Sequence, residues 1–163
     1  MTGDRASPVC YAGNADDAYM GYAGREEILF ALNALLEAER AGARVALASM
    51  RDAEGAEHAA LMRGIRADEA RWCKMLSGQI RRLGGAPSRC CGAFHGKAMA
   101  IADPMERLAF LNRGQAWVVR KLVELMRVVR DDVLHADLAR MRESHHANID
   151  GAAAFLKRAS PRA

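Results

Sequence analysis

The sequence predicts an all-α protein: a four-helix bundle of two antiparallel hairpins joined by one long crossover, with an N-terminal arm. Three observations carry this. Apolar residues make up 51% of the 163 residues and aromatics only 6%; alanine and leucine are abundant and long β-branched runs are absent, which favours helix over sheet. Apolar positions recur at helical spacing along four long segments. The connections between those segments run short, long, short, so the outer two close tight hairpins. A helix of about 28 residues is about 42 Å long. The middle connection, residues 84–102, covers that distance when extended at about 3.3 Å per residue.

The elements follow in order. Residues 1–24 form the arm, with Tyr11, Tyr19 and Tyr22 available to pack on the bundle. The first helix is expected from about Arg25 to Ala53. Its inner face reads Leu32, Leu35, Leu36, Glu39, Ala43, Ala46, Leu47 and Met50, with Asn33, Glu37, Arg40 and Arg44 on the polar side. Gly55 marks a break. The second helix runs from about Ala56 to Leu83 with Met62, Ile65, Glu69, Trp72, Leu76, Ile80 and Leu83 inward; Gly84, Gly85 and Pro87 end it. Asp103, Pro104 and Glu106 open the third helix as N-cap acid, first-turn proline and capping-box partner. Its stripe is Leu108, Leu111, Gln115, Val118, Leu122, Leu125 and Val129, with Asn112 at the border. Asp131-Asp132 makes a turn and starts the fourth helix, which carries Leu134, Leu138, Met141, His145, Asn148, Ala152 and Phe155. The bundle domain is thus expected over 25–159, with 160–163 as a frayed tail.

Composition narrows the function classes. The net charge is +4, with both signs scattered along the helices, so a nucleic-acid partner is not expected. No run approaches the ~18 apolar residues of a membrane span. Met1–Pro8 lacks the basic start and apolar stretch of a signal peptide. Cysteines without framework spacing point to a reducing cytoplasm. Cys90-Cys91 with His95 lacks the second spaced pair of a zinc motif, and either of the two cysteines could reach Cys10. His58 and His146 are expected in solvent, Trp72 and Trp117 in the core.

Each apolar stripe is interrupted near its middle by polar residues: Glu39, then Glu69, then Asn112 with Gln115, then His145 with Asn148. Such groups in a helical core are costly unless paired or bound to something. Polar side chains projecting inward from all four helices are how bundles build metal sites.

The segment "LNALLEAERAGARVALASM" (Leu32 to Met50) resembles the first-helix segment of bacterioferritin and its relatives, with Glu39 on that family's iron-binding glutamate. "DEARWCKMLSGQIRRLGGAP" (Asp68 to Pro87) is similar to the second-helix segment; there Glu69 matches the glutamate of the family's Glu-x-x-His motif, and Leu83, Gly85 and Pro87 match its ending. The arm and "FLNRGQAWVVRKL" also look like an uncharacterised bacterial ferritin-like domain family. The resemblance implies a ferritin-like fold and an iron site. Three departures stand against an intact site. Trp72 occupies the place of the motif's histidine, Asn112 stands near that of the third-helix glutamate, and His145-x-x-Asn148 replaces the fourth-helix Glu-x-x-His. A shifted Glu143-x-x-His146 exists on the flank of the stripe.

A di-iron site needs about four carboxylates and two histidines, and the core offers Glu39, Glu69 and His145. Three expectations follow. The first is a single divalent metal (iron, manganese or zinc) held by Glu39, Glu69 and His145, with Asn112, Gln115, Asn148, Trp72 and Cys73 around it. The second is a metal-free relic in which the same residues form a hydrogen-bonded polar core, within a module that works by association as a homodimer. The third is a di-iron ferroxidase or hydroxylase completed by Glu143 and His146. Cys73 is either a ligand, a redox thiol or a small core residue.

Overall fold

The structure, a computed structural model, describes residues 20–160. Cys10, Tyr11 and Tyr19 of the arm, and the tail beyond Ser160, lie outside the described residues. The described chain is helical without strands: α1 is Arg25–Ser49, α2 Ala56–Arg82, α3 Phe94–Met99, α4 Pro104–Met126 and α5 Asp132–Ala159.

Local chemistry sets the boundaries. Asp103 caps α4 by accepting from the Glu106 amide at 2.7 Å, with Pro104 in the first turn. Asp131 caps α5 by accepting from the Leu134 amide at 2.8 Å. Arg82 adds an ion pair to Asp131 at 2.8 Å, and its hydrogen bond, with that of the Leu134 amide, holds the Asp131 carboxyl below the usual range. The α2 C-terminus closes as Gly84 and Gly85 amides return to the carbonyls of Arg81 and Ile80. Gly84 does this at φ 75°, a left-handed conformation that suits glycine. The first helix ends at Ser49, short of the expected Ala53.

α1 and α2 form one hairpin, α4 and α5 the other, and the two pack so that α1 lies beside α4 and α2 beside α5. Each of these neighbours is antiparallel. The Ala23 amide, ahead of α1, donates to Val128 after α4; Arg107, early in α4, pairs with Asp52 after α1 at 2.8 Å. At the other side Arg158, late in α5, pairs with Glu57 at the start of α2. Leu32, Leu36, Leu76, Ile80, Leu122, Leu134 and Leu138 fill one end of the interior; Val45, Met62, Ile65, Leu111 and Ala152 fill the other.

The crossover from α2 to α4 runs along α1, on the side read as polar. Asn33 accepts from the Ser88 amide at 2.7 Å, Glu37 accepts from the Ser88 hydroxyl, and Arg40 donates to the carbonyls of Ser88 and Cys90. These side chains therefore strap the connection rather than face open water. Within it lies α3, which was not anticipated: six residues are too few for a periodic signal.

The inner face of α1 departs from expectation beyond Glu39. Gly42, Val45, Ala46 and Ser49 are buried, whereas Leu47 is exposed and Ala43 and Met50 are only half-buried. His58, expected in solvent, is fully buried against Phe155 with ring centroids 5.2 Å apart. Its Nδ1 accepts from the Glu54 amide at 3.2 Å, and burial lowers its pKa, partly opposed by the charge of Glu54. Trp117, expected as core, is 38% exposed, while Trp72 is buried.

Candidate functional site

Glu39 on α1 and His145 on α5 meet in the middle of the bundle. Both sit at inward positions of their stripes, and they come from diagonally opposed helices, so their side chains converge across the interior. Glu39 is 0% and His145 1% exposed. His145 Nε2 lies 3.0 Å from Glu39 Oε1, and its Nδ1 lies 3.1 Å from the Met141 carbonyl. Because a carbonyl only accepts, Nδ1 carries the proton on that side and Nε2 is left for Glu39. Burial alone would lower the imidazole pKa; the charge and hydrogen bond of Glu39, with the Met141 bond, outweigh it and raise the value above the ordinary histidine range. Glu39 Oε2 has no partner among the described residues.

Glu69 on α2 is buried too, at 3% exposure. Its carboxyl lies over Gly42 of α1, where a Cβ would be 2.6 Å from the Glu69 Cδ. The missing side chain at Gly42 makes the space that holds the acid. Burial, then the charges of Glu39 and Asp68, push the Glu69 carboxyl well above the usual carboxylate range.

The amides do not close a network with these acids. Asn112 donates to the Ile149 carbonyl at 3.2 Å, and its Oδ1 has no partner among the described residues. Both amide atoms of Gln115 are buried and without a partner among the described residues, as is Nδ2 of Asn148. Trp72 is buried with its indole N–H without a partner among the described residues, and Arg71 lies over the ring at 4.4 Å. Cys73 is half-buried; burial, then the charges of Glu39 and Glu69, push its thiol up to about 12, which leaves almost no thiolate at neutral pH. Glu143 and His146 are exposed, outside the interior.

Among the described residues no group of three His, Cys, Asp or Glu side chains is gathered so that it could hold a metal ion. A dinuclear iron centre does not fit this donor set. Trp72 fills the second-helix histidine position, Asn112 is engaged by backbone, and Glu39 and His145 occupy each other. The direct Glu39–His145 contact had no signal in the sequence.

A second feature lies along α1. A cavity of about 450 Å³ opens between α1, α3 and α4, with Glu69 and Gln115 in its wall together with Phe94, Phe110 and Trp117. Sequence reasoning found Gln115 as an internal polar residue but not the space in front of it, because that space depends on where α3 docks.

Comparison with known proteins agrees with the fold. Residues 26–154 match the family described as a domain of unknown function (DUF6306), and the chain belongs to that family. No curated protein is similar to it. Among solved structures, it resembles the dodecameric thioferritin of Bacteroides fragilis, a bacterioferritin-related protein, at 13% identity and TM-score 0.69, over 85% of this chain and 89% of that one. It also resembles a two-domain protein of Anabaena variabilis with DJ-1/ThiJ/PfpI-like and ferritin-like domains, at 16% identity and TM-score 0.70; all but 1% of this chain is covered, spanning 47% of the other. A ferritin-like, diiron-carboxylate protein of Bacillus anthracis follows at 13% identity and TM-score 0.60, over 82% and 93% of the two chains. The fold is ferritin-like, as the sequence predicted. No helix among the described residues is long and apolar enough to cross a membrane.

Proposed function

We propose that this chain is a metal-independent ferritin-like module that acts by binding rather than by iron chemistry. The carrying observation is the 3.0 Å contact between Glu39 Oε1 and His145 Nε2 in a water-excluded interior. Each of the two best metal donors takes the other as partner, and the pair fixes α1 against α5 as a buried polar contact fixes register. The test is the metal content of untagged protein after anaerobic incubation with Fe(II), Mn(II) and Zn(II). Protein that stays metal-free supports the module.

A second possibility has one specific observation behind it. Glu39 Oε2 is a buried oxygen without a partner among the described residues, and one divalent cation would balance the charges of Glu39 and Glu69 with His145 as the third donor. Iron, manganese or zinc would serve. Glu69 would have to turn toward the pair, and bound metal would disappear in Glu39→Ala and Glu69→Ala.

For association we propose a homodimer, supported by the exposed apolar side chains of Phe30, Leu47 and Trp117. The thioferritin relative is a dodecamer; for this chain the smaller assembly is proposed, in the cytoplasm, where the free thiols of Cys73, Cys90 and Cys91 stay reduced.

A further inference from the structure

Small residues open the space between α1 and α4. Ala34 and Ala38 face it from α1, and Gly114 from α4. The Phe94 ring of α3 packs directly on Gly114, where a Cβ would be 2.6 Å from its Cζ. Phe94 also stacks on Phe110 at 4.8 Å with planes 11° apart, so α3 is held as one wall instead of collapsing inward. The result is the cavity of about 450 Å³, within the ~300–1,000 Å³ of small-molecule sites. Trp117 stands at its exposed end; Gln115, 2% exposed, and buried Glu69 stand at its inner end.

Gln115 is the decisive residue. Its Nε2 and Oε1 are both buried and both without a partner among the described residues. Native proteins seldom leave one buried polar atom unmatched, and here a donor and an acceptor lie side by side on one amide. The matching chemistry is another amide edge, an acceptor beside a donor. Around it the wall is apolar and aromatic, which suits a flat body. Glu37, Glu69 and Arg113 all line the same space, with Arg113 over the Phe110 ring at 5.5 Å. An acid could meet Arg113 but would leave the Gln115 carbonyl without a donor. A cation could meet Glu69 but would leave the Gln115 N–H without an acceptor.

We propose that this cavity binds a small neutral molecule with a flat apolar body and a carboxamide or lactam edge, and that the side-chain amide of Gln115, closed off behind the wall in this structure, turns into the space to pair with that edge. The proposal goes beyond metal independence and rests on it in one respect: Glu69 lines the cavity instead of ligating a metal.

The test uses the full chain, treated with EDTA and desalted, with metal content measured on the same sample. Benzamide, benzamidine, benzoate and toluene are titrated by calorimetry and by ligand-observed NMR. The four share one ring and differ in the head group. Benzamide is expected to bind at least tenfold more tightly than the other three. Gln115→Leu should weaken benzamide at least tenfold, leave toluene unchanged, and not lower Tm, since it removes an unmatched amide; a purely structural glutamine would lower Tm. Ala38→Phe, which fills the space, should abolish binding of benzamide and toluene alike. Benzamide binding no more tightly than toluene or benzamidine, no binding at millimolar concentration, or benzamide binding that survives both variants overturns the proposal. Bound metal in a sample that still binds benzamide would refute metal independence alone. Metal-free protein that ignores benzamide would refute the ligand alone.

Discussion

Replacing His145 by leucine probes the interior most sharply. In the native protein Glu39 Oε1 has one partner, His145 Nε2, and Oε2 has none among the described residues. His145→Leu therefore leaves a carboxyl at 0% exposure with neither oxygen matched. Breaking a buried pair from one side costs about 3–5 kcal/mol. A domain is stable by only about 5–15 kcal/mol in total. At about 2–4 °C per kcal/mol for a domain of this size, Tm should fall by about 6–20 °C. Glu39→Leu should be similarly harmful, because it strands the imidazole. The double variant Glu39→Leu/His145→Leu should recover most of the loss, since two apolar residues of similar volume replace a matched pair at little net cost. The assay is equilibrium guanidinium unfolding of the four proteins followed by circular dichroism at pH 7 in EDTA, read as a double-mutant cycle. Single losses below about 1 kcal/mol, or a double loss equal to the sum of the singles, would refute the pairing; both are far from the about 3–5 kcal/mol expected of a broken buried pair.

Further consequences follow from neighbouring residues. Gly42→Ala places a Cβ against the Glu69 carboxyl; overpacking of about 1–3 kcal/mol should exceed the ~1 kcal/mol gained from alanine in a helix, and adding Glu69→Ala should restore Tm if the clash is the cause. His58 has a lowered pKa in the fold, so the unfolded chain binds more protons below its ordinary value of 6.5 and stability is lost as pH falls from there through the folded pKa. The Tm advantage of wild type over His58→Phe should therefore shrink between pH 7 and pH 5, and a pH-independent difference would contradict the assignment. The Cys73 thiol, pushed up to about 12, should resist iodoacetamide at pH 8 in the native protein while exposed Cys90 reacts; equal labelling of the two, read by peptide mass, would show that Cys73 is a reactive thiol.

Much of this was legible in the chain, for reasons that differ by residue. Glu39, Glu69, Gln115 and His145 are buried as their spacing required, because helical periodicity fixes a face over one or two turns. Beyond Glu39 the assignment slipped to Ala43, Leu47 and Met50, whereas Gly42 and Ser49 are the buried positions. Hydrophobicity favoured leucine there, but the burial of Glu69 against α1 needs a residue without a side chain. Asn112 and Asn148 stand near the inner face, yet Asn112 turns to the Ile149 carbonyl, a choice set by the α4–α5 contact. His58 carried no local signal, because Phe155, which covers it, arrives from the far end of the chain. The polar side of α1 is the track of the crossover, which polarity alone does not reveal, since Asn33, Glu37 and Arg40 bind its backbone and Ser88. The pairing of Glu39 with His145, and the cavity before Gln115, are tertiary facts; spacing along one helix says which way a residue faces, not what it meets.

Metal content decides the central claim most directly. Untagged protein is incubated anaerobically with excess Fe(II), Mn(II) or Zn(II), desalted and analysed for metal and protein together. An interior closed by Glu39 and His145 predicts metal far below one ion per chain in every case. One or two ions per chain, lost in Glu39→Ala and Glu69→Ala, would contradict it.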